Sequence, residues 1–398
     1  MEPIKLVDNI YWVGAVDYDI RDFHGYLTPR GSTYNAYLVV DKEITLIDTV
    51  KHGFEEELLS RISKVVDPKK ITQVVSNHAE MDHSGSLPSI MRAIGADKPI
   101  YASTMGVKNL HGQFEDAGLN LKAAGQELSL GQNTLKFIET RMIHWPDSMF
   151  SYLPEQKILF SQDGFGLHLA STERFDDEFT RDFWRPLALN YFANILTPYT
   201  AQIAKVLESV TSLGLLKDIK FICPDHGFIW RKDPQQILAL YSEWVQQKPK
   251  KKAVVAFDTM WHSTEYMARV LADSLGHLGV ETRYLSLKHN HRSEIATEAY
   301  EAGLLLFGSP TINNQMFPSV ADLLCYLKSL KMKNKIAAAF GSHGWSGEGA
   351  KLVQAELKTM GYELPYPEVR IQWVPREKNL APLKELAKNL VTTLEAAL

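Results

Sequence analysis

Residues 76 to 85 read SNHAEMDHSG, so two histidines, a glutamate and an aspartate occupy the six positions from His78 to His83, directly behind the strand-like run ITQVV. Ionisable groups packed this densely must either stay in water or close around a cation, because burying them unpaired is costly. The pattern recurs behind other strand-like runs. TLKFIET is followed by His144, KILFSQ by Asp163, and IKFICPD by His226. Four strands rich in β-branched and aromatic residues therefore bring metal-type donors to their carboxyl ends. Along extended backbone, alternation is expected to set His78, Glu80 and Asp82 on one side, which leaves His83, directly after Asp82, either as a ligand or as a group that points away from the metals and supports the ligands from behind.

Four imidazoles and three carboxylates exceed the needs of one ion. They suit two ions, each with two histidines and a carboxylate, plus one carboxylate shared between them. Three carboxylates make a harder donor set than a nitrogen-and-sulfur zinc site, which favours iron or manganese, although zinc also accepts carboxylate. Only two cysteines occur, Cys223 and Cys325, and they are not in C-x-x-C spacing. An iron-sulfur cluster, a thiolate metal ribbon and a disulfide framework are thereby disfavoured.

Of the 398 residues, 45% are hydrophobic and 23% charged, with a net charge of -4, which gives no bulk attraction to nucleic acid. The opening MEPIKLVDN lacks the pattern of a signal peptide, and no run approaches the ~18 apolar residues of a membrane helix, so a cytoplasmic protein is expected. The stretch YSEWVQQKPKKKAVVAF ends a helical pattern and opens a new strand at Ala253, which predicts two domains, 1–249 and 250–398. In the first, YNAYLVV and EITLIDTV are expected to form a hairpin across Asp41 and Lys42, within a mixed α and β fold.

The second domain opens with KAVVAF, the polar loop DTMWHST and a helix carrying Met267, Val270, Leu271 and Leu275 at helical spacing. Thr259, Ser263 and Thr264 could cradle a phosphate at the helix N-terminus, or serve as simple caps. LLLFGSPTINN and IAAAFGSHGWSGEG each end an apolar strand in a turn of small and polar residues. Three such loops at one carboxyl edge of a parallel sheet form the ligand site of doubly wound folds. Trp345 could lie against an aromatic ring system.

HAEMDH, HWPDSM, QDGFGLH and the final DHG together resemble the flavodiiron proteins, also called A-type flavoproteins, and the resemblance spans the whole chain. It implies an α/β chain: a metallo-β-lactamase-like αββα sandwich, here with Glu80 in place of the usual second histidine, followed by a flavodoxin-like domain binding FMN. One iron would be held by His78, Glu80 and His144, the other by Asp82, His83 and His226, with Asp163 bridging. The FMN site would draw on Thr259, Met260, Trp261, Ser263, Thr264, Pro310, Thr311, Asn313, Asn314, Ser342, Gly344, Trp345, Ser346 and Gly347. Met260 and Trp261 replace the small residues of many flavodoxin phosphate loops. His24, Tyr26 and Tyr191 would line the substrate pocket, where Leu167 stands in place of a more common glutamine.

The resemblance further implies an oxidoreductase reducing dioxygen to water, or nitric oxide to nitrous oxide, and is closest to stand-alone enzymes that use rubredoxin and dioxygen. Without C-x-x-C pairs no rubredoxin module is fused, so a separate carrier such as rubredoxin is expected. A head-to-tail homodimer, or a dimer of dimers, would set the FMN of one chain against the diiron site of the other, with Trp145 near the junction. Two alternatives remain: a zinc-dependent hydrolase with an accessory flavodoxin-like domain, and a flavin electron carrier whose first domain only docks partners.

Overall fold

The structure is a computed structural model and describes residues 1–212, 214 and 217–398. The chain forms two compact units, one comprising Met1–Phe23, Thr28–Tyr191 and Tyr199–Ser242, the other His24–Leu27, Phe192–Pro198 and Glu243–Leu398.

The first unit is a sandwich of two sheets. One has seven strands, in spatial order Ile4–Val7, Ile10–Trp12, Tyr37–Val39, Thr45–Ile47, Gln73–Ser76, Ile100–Ala102 and Leu121–Ala123. The other has five: Glu127–Ser129, Thr134–Glu139, Met149–Leu153, Ile158–Gln162 and Phe221–Pro224. Trp12, Tyr37, Ile47 and Val75 of the first sheet share a core with Leu135, Met149, Phe160 and Cys223 of the second. Each such fully buried apolar side chain contributes about 1.5–3 kcal/mol, so the sheets form a stiff base for the loops at their ends. The expected hairpin is present, with Tyr37 opposite Ile47 in an antiparallel pair.

One local expectation gives way. The backbone is extended at Glu80 but turns helical over Met81–Ser84, where the His83 and Ser84 amides both donate to Glu80 O. Strand alternation therefore stops at Glu80. A helical turn advances about 100° per residue, so the adjacent Asp82 and His83 can both serve a second position that extended chain would not reach.

The second unit has five parallel strands in the order Glu281–Ser286, Lys250–Phe257, Ala302–Gly308, Ile336–His343 and Val369–Gln372. This is the 2-1-3-4-5 order whose crevice opens between the first and third strands in sequence. The first strand starts at Lys250, earlier than Ala253. Its three lysines keep their ammonium groups at the strand margin, 2.7, 2.6 and 2.6 Å from Glu301, Glu395 and Glu298 respectively. The helix expected behind it runs Ser263–His277 and buries Met267, Ala268, Leu271 and Leu275. Among the described residues, no helix is long and apolar enough to cross a membrane.

Candidate metal centre and cofactor pocket

The strand ends of the first unit bring seven predicted donors into two groups. In one, Glu80 Oε2 lies 3.1 Å from His78 Nε2 and 3.0 Å from His144 Nε2. Asp163 Oδ2 lies 3.2 and 3.1 Å from the same two nitrogens. In the other, Asp82 Oδ2 is 3.3 Å from His83 Nε2 and 3.1 Å from His226 Nε2, with Asp163 Oδ1 at 3.2 and 3.4 Å from these. Asp163 thus gives one oxygen to each group.

These spacings fit ions. Donors about 2.1 Å from a metal stand about 3.0 Å apart at right angles and about 3.4 Å apart at the tetrahedral angle. Both oxygens of Asp82 and of Asp163, and both ring nitrogens of His83, are buried without a hydrogen bond. So many orphaned polar atoms aimed at one another would be costly without a cation. Burial disfavours charge on His83 and His144, but the surrounding carboxylates outweigh it and hold the imidazoles up at about 10 and about 9. Asp163 is likewise opposed by burial and is drawn well below the usual carboxylate range by His83, His144 and His78. A metal ion would replace the protons of this cluster.

The turn carrying His226 needs its glycine. Gly227 has φ +80, and a Cβ there would stand 2.5 Å from Leu167 O. The turn sets His226 Nδ1 2.7 Å from Thr33 O, which accepts its proton.

His168 was not singled out from the sequence, yet it borders the second group. Its ring centroid is 4.6 Å from that of His226 and 5.1 Å from that of Tyr191, and its Nδ1 lies 2.7 Å from Ser32 Oγ. The only sequence signal was its place in QDGFGLH, five residues after Asp163. Trp145 packs edge-on against His78, with centroids 5.2 Å apart. His24 and Tyr26 lie on the segment that belongs to the second unit, where Gly25 O accepts Arg292 Nε and the Leu27 amide donates to Ser293 Oγ.

In the second unit a cavity of about 460 Å³ opens at the carboxyl ends of the strands. Twelve of the fourteen residues predicted there line it: Thr259, Met260, Trp261, Ser263, Pro310, Thr311, Asn313, Asn314, Ser342, Gly344, Trp345 and Ser346. The other two support it. Thr264 is buried with Oγ1 2.9 Å from Ser342 Oγ, and Gly347 precedes the helix Glu348–Thr359. His343, Trp373 and Val374 also line the cavity and were missed, since Trp373 and Val374 follow a strand whose sequence carries no turn signal.

The cavity offers what a flavin phosphate needs. His262 precedes the helix in a left-handed conformation and pairs with Glu265, and its side chain caps none of the first-turn amides. Thr259 Oγ1 is buried without a partner. Free amides and an unused hydroxyl suit an anion at a helix N-terminus. Trp345 is 87% exposed, with Trp373 6.4 Å away, centroid to centroid, which leaves an aromatic face for a planar ring.

Comparison with known proteins agrees with both halves. Residues 33–227 match the ODP family beta lactamase and residues 255–384 the flavodoxin family. The chain is 43% identical to the rubredoxin-oxygen oxidoreductase of Megalodesulfovibrio gigas, with all of both chains covered. It is 42% identical to the nitric oxide reductase of Moorella thermoacetica, over 99% of each. The solved structure of the flavodiiron protein from Giardia intestinalis superposes with a TM-score of 0.95 at 35% identity, covering 100% of this chain and 98% of that one.

Proposed function

Because the chain belongs to the flavodiiron proteins, we propose that it is an FMN- and diiron-dependent oxidoreductase. It passes electrons from a small carrier of the rubredoxin type to dioxygen, giving water, or to nitric oxide, giving nitrous oxide and water. The observation that carries this reading is the pairing, on one chain, of two donor groups sharing Asp163 with a flavin-shaped pocket on a flavodoxin sheet.

When bound, FMN accepts electrons in pairs and releases them singly, and the two irons bind a diatomic gas and deliver electrons to it. Dioxygen takes four electrons and four protons to give two waters; two molecules of nitric oxide take two of each to give nitrous oxide and one water. His78, Glu80 and His144 would hold one iron and Asp82, His83 and His226 the other, with Asp163 fixing their separation. His83 stands with Nε2 toward Asp82 and Asp163, the orientation a ligand needs. Six of the seven donors are buried and His144 is partly exposed, so the cage is open to solvent only at that edge. Tyr191 and His168, beside His226, would orient the gas and hold a proton at the phenol oxygen or the ring nitrogen. Thr259 and the first amides of Ser263–His277 would anchor the flavin phosphate, with Trp345 against the ring.

We place the protein in the cytoplasm as a head-to-tail homodimer. What supports the dimer is the ring of exposed side chains at the flavin pocket, Trp261, Trp345 and Trp373, which a partner surface would cover. The zinc hydrolase alternative leaves that pocket without a role.

The test mixes reduced, iron-loaded protein with dioxygen or with nitric oxide and follows flavin reoxidation through several turnovers. Faster turnover with dioxygen identifies an oxidase, and faster turnover with nitric oxide a nitric oxide reductase. Turnover with neither overturns the reading.

A further inference from the structure

Two buried aspartates stand behind the donor groups without belonging to either. His78 turns Nε2 to Glu80 and Asp163, and its other ring nitrogen, Nδ1, lies 3.2 Å from Asp147 Oδ2. His83 turns Nε2 to Asp82 and Asp163, and its Nδ1 lies 3.4 Å from Asp225 Oδ2. Each metal position thus contains one imidazole backed by a carboxylate.

The two aspartates are held differently. Asp147 Oδ2 also accepts the Ala79 amide at 2.7 Å, Oδ1 accepts Asn109 Nδ2 at 3.1 Å, and its carbonyl accepts Ser103 Oγ at 2.6 Å. It therefore ties the His78 loop to the loop bearing His144, three residues before it. Asp225 is fixed through its backbone: its amide donates to Gln162 O and its carbonyl accepts the Asn35 amide, both at 2.8 Å. Neither of its carboxylate oxygens makes a hydrogen bond. The nearest side-chain donor to this fully buried carboxylate is the His83 ring, whose Nδ1 stands 3.4 Å from Oδ2, and a buried polar group is placed where a partner can serve it.

Among the described residues, no carboxylate stands behind the other two imidazoles. His226 Nδ1 meets the neutral Thr33 carbonyl, and His144 has its ring at a partly exposed edge. A carboxylate on the far nitrogen fixes which ring nitrogen carries the proton, orients the ring and strengthens it as a donor, more than a carbonyl does.

We propose that Asp147 and Asp225 are positioning residues, one for each metal position, that hold His78 and His83 with Nε2 directed at the metal. The proposal rests on the reading of the two groups as an iron site. It accounts for His83 standing as a donor, since Asp225 leaves its ring a single favourable orientation.

The experiment compares full-length, iron-loaded wild type with Asp147→Ala, Asp147→Asn, Asp225→Ala and Asp225→Asn. Iron and FMN per chain, the Mössbauer spectrum of the 57Fe-loaded protein and the rate of iron loss to a chelator are measured on each. FMN content reports whether the second unit has folded, and the far-ultraviolet circular dichroism spectrum and melting curve report whether the first has. Each alanine variant is expected to keep its FMN and to release one of its two irons roughly 10–100-fold faster. The two variants should perturb different components of the spectrum. The asparagine variants, which keep an oxygen to face Nδ1 but lose the carboxylate charge, should fall between wild type and alanine. Wild-type release rates in the alanine variants overturn the proposal, as does perturbation of the same component by both. If the alanine variants lose FMN as well, wild-type rates in the asparagine variants overturn it. A wild type that takes up no iron overturns the functional reading itself, and this proposal with it.

Discussion

The two units bury charge in opposite ways. The first concentrates ionisable groups, four imidazoles and the carboxylates of Glu80, Asp82, Asp147, Asp163 and Asp225, within a few ångströms of one another. The second lines its cavity with hydroxyls, amides and aromatic rings, and among the described residues no carboxylate faces that space. The contrast follows from the ligands. A small cation of high charge is held by formal charges at fixed distances, whereas a large planar cofactor with one phosphate is held by backbone amides and ring contact.

Asp163→Ala is the strongest way to break this contrast. The substitution removes the one side chain common to both donor groups. Both irons should be lost and gas reduction should fall by more than the roughly 10–100-fold expected for an outer partner, while FMN stays at one per chain. Retention of two irons by this variant would show that the cluster is held together by something other than its shared carboxylate.

The same contrast explains what the sequence discloses. Donors of a nitrogen-and-oxygen site are histidine, aspartate or glutamate, so HAEMDH and the single residues behind three later strands mark the candidate metal centre by letter. Their division between two positions is less visible, because it depends on the helical turn at Met81–Ser84 that alternation misses. His168 stayed hidden because its role comes from packing on His226 and Tyr191, far apart in sequence. In the second unit a backbone amide leaves no letter. Thr259 and Ser342 could be inferred from turn composition, but Trp373 and Val374 reach the cavity only through the sheet order, which sets Val369–Gln372 beside Ile336–His343.

Trp345→Ala should weaken FMN binding about tenfold, the loss of one stacking contact of ~1–3 kcal/mol. It should leave the melting temperature unchanged, since the side chain is almost wholly exposed. Titration of flavin-free protein by fluorescence quenching measures it. A smaller effect, roughly fivefold, is expected for Thr259→Val, from one hydrogen bond of about 1 kcal/mol. Here the comparison sharpens itself. Riboflavin, which lacks the phosphate, should bind the valine variant as well as it binds wild type, and an equal loss for both ligands would move Thr259 away from the phosphate.

The smallest effect concerns the exception to the contrast. Lys335 is 2% exposed in the second unit, with Nζ donating to Tyr300 O at 2.6 Å and Ala302 O at 2.8 Å. Burial lowers its pKa from 10.5 to about 7, against the weaker pull of Glu301. Between those two values the unfolded chain holds a proton that the folded chain has released, so Lys335 makes stability rise with pH across that window. Below about pH 7 both states are protonated and the cost of the buried charge is present in full. Lys335→Met removes the charge and both hydrogen bonds. Near pH 10 only the lost bonds count and the variant should melt a few degrees lower. As pH falls toward 6 the gap should close or reverse, because only wild type still carries the buried charge. Melting curves across that range test this, and a gap independent of pH would show that Lys335 stays protonated throughout, held by the two carbonyls alone.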